Sequence, residues 1–525
     1  MDNEMIAKID QLFAQWQEGL CPGGQVSVRY KGEMVYERCF GYANVELEVK
    51  VSPQTVFHVA SVSKQLTVMA LMLLYEDGLV DLDADIRTYI PERVNFPQKV
   101  TVRQLMNNVS GVRDIWTLQG LRGTRIDDTI TQEDALKIIG NQAGLNFEPG
   151  AQYMYSNSNF VLIAEIVEKL SGKSFNEFLK ERVFTPLGMT STCVRETYWQ
   201  LIPNRATSYR DMSTHFLHNV LNYGTYGATS LHTTATDFLK WMENYKKPTI
   251  CKPETLEIMK TPAILNDGKP STYAGGLMVG ELEGHKYIQH SGSDASFRAH
   301  MISFLDDDLE MVICSNTGNI PLGNQCMQIA RYIFGLETPL PEPKEEFPYQ
   351  VDDFDLNDAP GFYFSKPPEI MGINIIKKGD ELFVQEGYGL VQIHQVKGNL
   401  FKMGRGNSHI YLGNKPAMQG MMGRDVPLTK GSEVPEDTNY LFDYEGVYEN
   451  EEIDTQYTVF EDEGLLYLDH FRNHRSRLYC YQRDYYVTAG NRTLGIEFMR
   501  GSGGAVLGFK IHAGRVINIG FSKIE

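Results

Sequence analysis

Between Leu336 and Pro348 the chain places Pro339, Pro341, Pro343 and Pro348 among charged residues. Proline fixes φ and removes a backbone donor, so neither a helix interior nor a central strand can run through this stretch. The chain is therefore divided there, as a length of 525 residues requires of a chain too long for one core. Before the break, strand-like and helix-like stretches alternate. After it, no long amphipathic helical pattern occurs, and short runs of alternating polarity read as strands. The expected domains are residues 1–337, a Pro-rich linker at 338–349, and two β domains at 350–433 and 434–525.

In the first region, residues 1–16 carry Ile6, Ile9, Leu12, Phe13 and Trp16 at helical spacing, which predicts an opening amphipathic helix. With no basic stretch ahead of it, this segment reads as part of the fold and not as a signal peptide. Gly24 to Tyr30 and Met34 to Arg38, joined by a glycine turn, predict a hairpin. Helices are expected at 64–77, 160–170 and 324–334, and late strands at 287–290, 299–304 and 309–314. Strands at both ends with helices between predict an α+β sandwich whose terminal strands share one sheet.

The second region echoes itself. Pro360-Gly361-Phe362-Tyr363 leads to Glu381-Leu382-Phe383-Val384, and about 85 residues later Glu445-Gly446-Val447-Tyr448 leads to Leu465-Leu466-Tyr467-Leu468. Two copies of a unit beginning Gly-x-Tyr predict paired antiparallel β-barrels with a joint in 418–437.

Chemistry enters at Ser61-Val62-Ser63-Lys64, which opens an apolar run from Leu66 to Leu74. On a helix, positions i and i+3 share a face, so the Lys64 amine can reach the Ser61 hydroxyl. A partly desolvated amine can lose its proton and then accept one from serine, which turns a weak nucleophile into a competent one. By itself the tetrapeptide fits equally well a capping serine followed by a solvated lysine. Two further segments add weight. Tyr155-Ser156-Asn157 stands in a polar stretch just before the apolar run at 160–170, and His290-Ser291-Gly292-Ser293 ends a strand-like run, where glycine permits close backbone approach.

In this order, S-x-x-K, Y-x-N and H-x-G resemble the serine β-lactamase and penicillin-binding protein superfamily, in its class C branch. The flanks agree: Leu105-Met106-Asn107-Asn108-Val109-Ser110-Gly111-Val112 resembles a conserved-looking stretch of the family, and Phe147-Glu148-Pro149-Gly150 precedes the tyrosine motif. The resemblance spans residues 10 to 335 and implies a class C β-lactamase/DD-peptidase-like α/β sandwich. With two lipocalin-like β-barrels behind it, the layout resembles the D-aminopeptidase branch. Also implied are an acyl-enzyme on Ser61, proton transfer shared by Lys64 and Tyr155 with the base left open, and His290 lining the site in place of lysine. Backbone N–H groups of Ser61 and Ser293 would form an oxyanion hole, Asn157 and Gly292 would contact substrate, and Asn157 would alternatively bond Lys64. No metal or organic cofactor is implied. Ser291 and Ser296 depart from the family's glycines.

In the D-aminopeptidase branch, a loop of the last barrel enters the cleft. The matching segment, Asp469 to Arg477, holds three arginines and two histidines in an otherwise acidic chain. Arg472 and Arg475 are thus candidate contacts to an acidic substrate, unless they pair with local carboxylates. Peptidase or amidase activity on short peptides with D-residues is the first expectation. An esterase, a β-lactamase-like hydrolase and a non-catalytic sensor of the same fold remain alternatives.

A net charge of -18 argues against nucleic acid and anionic membranes as partners. The resemblance implies a small-molecule or short-peptide substrate, with homodimer formation open. Seven cysteines without a C-x-x-C suggest free thiols and a cytoplasmic location. No serine is framed as G-x-S-x-G, so an α/β-hydrolase elbow is not expected.

Overall fold

The computed structural model describes residues 1–524 except 126, 213, 337–351, 366–370, 387–388, 404–408, 420–424, 432–439 and 489–492. The expected linker at 338–349 and the boundary at 433/434 lie outside the described residues, as does part of the joint at 418–437. By its internal contacts the chain separates into two units. One holds the residues up to the Pro-rich segment except Trp116–Thr124; the other holds Trp116–Thr124 and the residues beyond that segment.

The first unit is built on an antiparallel sheet of six strands. They are β1 (Gly24–Tyr30), β2 (Glu33–Phe40), β3 (Met278–Leu282), β4 (His285–Asp294), β5 (Phe297–Phe304) and β6 (Leu309–Ser315), in the order β3-β4-β5-β6-β1-β2. Gly24 pairs with Ser315 on one side and with Phe40 on the other, so the first and last strands pair inside the sheet, with β2 at its edge. One face is covered by α1 (Asn3–Leu12) and, from the far end of the unit, a helix at Leu322–Phe334. Ile9, Phe13, Trp16, Val26, Val28, Met311, Ile313 and Ile329 form the core between them. The opening helix is shorter than its apolar spacing suggests. It ends at Leu12, and Ala14–Trp16 form a 3₁₀ turn that still buries Phe13 and Trp16.

Two further helices carry the chemistry: α2 (Lys64–Glu76) and α3 (Asn157–Ser171), which lie against each other. Every residue of α2 from Lys64 to Leu74 is buried. A helix apolar on all sides belongs in the interior, so the polar residue at its first position is carried inside with it.

In the second unit, nine strands between Gly361 and Lys430 form a nearly closed antiparallel sheet, and eight strands between Gly446 and Lys523 form a closed barrel. The internal echo is structural. Gly361 and Gly446 have φ of 141° and 148°, and each is followed two residues on by a buried tyrosine. Tyr363 Oη donates to Ala359 O at 2.9 Å, and Tyr448 Oη donates to Tyr444 O at 2.6 Å. Both hydroxyls thus pin the turn that enters their own sheet. No described helix is long and apolar enough to cross a membrane.

Candidate active site

The nucleophile segment is held in an unusual backbone. The two-residue strand Phe57–His58 pairs with Leu231–Thr233, and the chain then tightens into a 3₁₀ turn, Ala60–Ser63, before α2 begins. Ala60 has φ of 47°, a left-handed conformation that costs a non-glycine residue about 1 kcal/mol or more. Ser61 therefore stands on a sharp turn, one turn ahead of Lys64. Strand β4 passes directly against this turn. A Cβ at Gly292 would fall 2.1 Å from Val59 O, so only glycine fits there, and Ser293 follows it along the same edge.

Lys64 is fully buried. Its Nζ donates to Ser61 Oγ at 3.0 Å, to Asn157 Oδ1 at 2.8 Å and to Ala228 O at 2.6 Å. Three acceptors match the three N–H bonds of an ammonium group. Loss of one proton would leave a lone pair within reach of the Ser61 hydroxyl. The Tyr155 ring lies under the same amine, with Nζ 4.9 Å from its centroid. The structure thus gathers Ser61, Lys64, Asn157 and Tyr155 around one point, and Gly292 touches the segment just ahead of Ser61.

The tyrosine segment is set by the stretch 107–114. Asn108, itself at φ of 56°, accepts at Oδ1 from Ser156 N (3.0 Å) and Asn159 Nδ2 (2.9 Å), and its carbonyl accepts from Met154 N (3.0 Å). Asp114, fully buried, accepts from both the backbone N (3.1 Å) and Nδ2 (2.8 Å) of Asn157. With Nδ2 held by the carboxylate, Asn157 must turn Oδ1 toward Lys64. Sequence reasoning gives Asp114 no part, and it misses the Ala228 carbonyl altogether. The run Asn107 to Asp114, polar in a buried setting, was the available signal for the first; a backbone acceptor leaves none for the second.

His290 is buried with both ring nitrogens engaged. Nδ1 lies 2.7 Å from Ser291 O, a carbonyl that can only accept, so Nδ1 carries the hydrogen; Nε2 then accepts from Tyr273 Oη at 3.0 Å. Burial first, and the Lys64 charge second, push the imidazole down to about 3. His290 is accordingly neutral. Tyr273, another residue that sequence reasoning missed, packs edge-on against Tyr155 at 5.9 Å.

Arg472 and Arg475 belong to the second unit. Arg475 pairs with Asp462 at 2.6 Å and lies 3.7 Å from the Tyr467 ring centroid, the local pairing that an ordinary hairpin would show. The turn carrying Arg472 is organised by His470, whose Nδ1 accepts from Arg472 N and Asn473 N while Nε2 bonds Thr455 Oγ1 at 2.8 Å. Within this unit Asn473 Nδ2 donates to Gly120 O at 2.9 Å, and Tyr457 Oη donates to Leu121 O at 2.8 Å.

Comparison with known proteins agrees with this geometry. The Beta-lactamase family profile matches residues 9–324. A D-aminopeptidase of Gluconobacter oxydans is 30% identical over 297 residues, and the match spans 56% of each chain, so about half of that relative's length is covered. The penicillin-binding protein homologue of Pyrococcus abyssi, described as octameric, superposes with a TM-score of 0.57 at 20% identity over 90% of this chain and 99% of its own. D-amino acid amidase of Ochrobactrum anthropi superposes with a TM-score of 0.54 at 21% identity over 63% of this chain and 99% of its own. With a buried lysine bonded to the serine one turn ahead of it, and the family profile running through both, the chain belongs to the Beta-lactamase family.

Proposed function

We propose that the protein is a serine hydrolase that forms an acyl-enzyme on Ser61 and cleaves short peptides or amides containing D-amino acids. The observation that carries this reading is the buried Lys64 amine, whose Nζ lies 3.0 Å from Ser61 Oγ and which, in its neutral form, can accept the serine proton. Placing a charge in the interior is costly, and a buried lysine bonded to a serine hydroxyl is suited to proton transfer. The relatives named D-aminopeptidase and the solved D-amino acid amidase support the substrate class.

In the proposed reaction, Ser61 Oγ attacks the substrate carbonyl carbon while its proton passes to Lys64 or Tyr155. The carbonyl oxygen, now negative, is stabilised by the backbone N–H groups of Ser61 and Ser293. Collapse of the tetrahedral adduct expels the amine, which takes up the proton held by the base. Water, deprotonated by the same group, then attacks the ester, releases the acid and restores Ser61. Asn157 orients Lys64 or the substrate amide. His290 contributes as a neutral wall, since both its nitrogens are occupied. This sequence of steps uses protein groups alone. All seven cysteines are unpaired, which supports a reducing, cytoplasmic setting. Assembly as a homodimer stays part of this proposal.

The reading is tested with a panel of D- and L-aminoacyl amides, p-nitrophenyl esters, a penicillin and acidic dipeptides, assayed on wild type and Ser61→Ala. Ser61-dependent turnover preferring D-aminoacyl amides is expected. Preference for esters or penicillin would move the assignment within the family, and preference for acidic dipeptides would change the proposed substrate class. No turnover of any compound would refute it.

A further inference from the structure

Asp294 is the meeting point of three chain segments that each border the site. It follows Ser293 on β4. Its Oδ2 lies 3.0 Å from His58 Nε2, accepts from Tyr223 Oη at 2.5 Å, and accepts a further hydrogen bond from Thr229 Oγ1. His58 Nε2 is also 3.2 Å from Thr229 Oγ1, which closes the cluster. His58 stands three residues ahead of Ser61, and Thr229 directly follows Ala228, whose carbonyl accepts from Lys64. One carboxylate oxygen therefore ties together the segment of the nucleophile, the segment of the lysine's acceptor and the strand of Ser293.

His58, Tyr223 and Thr229 are buried, and the Asp294 side chain is only 17% exposed. Burial would push its carboxyl up, but the hydrogen bonds from His58, Thr229 and Tyr223 outweigh it and hold the group below the usual carboxylate range. A buried carboxylate with three donors from distant parts of the chain is a fixed node, and its three partners cannot shift independently.

We propose that Asp294, through His58, Thr229 and Tyr223, is a positioning residue that sets the spacing between Ser61, Lys64 and the main chain of Ser293. This rests on the serine-hydrolase reading above. Asp294 acts through these groups and forms no bond with the reacting carbonyl. A displacement of about 1 Å between nucleophile and oxyanion donors costs on the order of 100-fold in rate. Loosening the node therefore slows acylation and leaves substrate affinity nearly unchanged.

The test compares wild type, Asp294→Ala, Asp294→Asn, Thr229→Val and Tyr223→Phe, reading the rate of fluorophosphonate labelling and the kcat and KM of a p-nitrophenyl ester. Asp294→Ala is expected to slow labelling about 30- to 100-fold with KM within about twofold. Asp294→Asn, which keeps an acceptor oxygen and the shape, should recover most of that loss. Thr229→Val and Tyr223→Phe each remove one donor at nearly constant volume and should each slow labelling several-fold. If Asp294→Ala does not fold, these two decide the matter. Wild-type labelling with unchanged rates per folded molecule in the variants, whatever their melting temperatures, would overturn the positioning role and leave the hydrolase reading intact. Absence of wild-type labelling would remove the hydrolase reading and this inference with it.

Discussion

The interior of the first unit around α2 and the interior of the closed barrel solve opposite problems. Around α2 the buried groups are Lys64, Asn157, Asp114, His58 and Asn108, each held by hydrogen bonds from elsewhere in the unit. Inside the barrel rings make up much of the buried interior. Tyr448 lies 4.6 Å from Phe509, Phe509 lies 5.0 Å from Phe521, and Tyr444 lies 4.3 Å from Phe498. Stacked rings contribute apolar burial with few polar groups to satisfy. A buried ammonium gains little net stability, because the loss of its hydration offsets the hydrogen bonds it makes. The contrast sets the interior where the proposed chemistry would occur against one packed largely with rings.

Five substitutions and one titration can break that contrast. Lys64→Met should lower the Ser61 labelling rate about 10³-fold, within the range for losing a general base, while the melting temperature holds or rises. A matching loss of stability would mean that Lys64 is a structural residue. The opposite pattern is expected for Phe509→Ala, which should cost about 3–5 kcal/mol by denaturant unfolding and leave labelling unchanged well below the melt. Asp114→Asn, which weakens the grip on Asn157 without changing shape, should slow labelling about tenfold, equivalent to about 1.4 kcal/mol.

The titration concerns His232, His290 and His300, all held below the ordinary histidine value by burial, His290 at about 3 and His300 at about 4. In the unfolded chain they take up protons near 6.5, so the unfolded state binds more protons between about 6.5 and the lower folded values. Stability should therefore fall as pH drops from about 6.5 toward 4, as followed by thermal melts, and His300→Leu should flatten this limb. A melting temperature independent of pH over that range would contradict the burial of neutral rings. The smallest effect is expected from Tyr448→Phe, about 1 kcal/mol for one hydrogen bond at the barrel entry, with no change in labelling.

What was legible in the sequence was what local spacing encodes. Gly24 to Tyr30, the serine and lysine three apart, and the two Gly-x-Tyr units all signal within a few residues, and each corresponds to a described element. Asp114, Tyr273 and the His58–Asp294 bond did not show, because each acts on a partner far along the chain. His58 and Asp294 are 236 positions apart, and no periodicity marks such a pair. The grouping of Trp116–Thr124 with the barrels was hidden for the same reason, since the contacts that place it come from Tyr457 and Asn473. The first β sheet also stops short of closure among the described residues, a difference that two similar strand patterns do not reveal.

The most direct test of the account is intact-mass spectrometry after incubation with a fluorophosphonate, run in parallel on wild type and Ser61→Ala. The account predicts a single covalent adduct on wild type and none on Ser61→Ala. Equal labelling of the two proteins, or no adduct on a folded wild type, would contradict nucleophilic attack by Ser61.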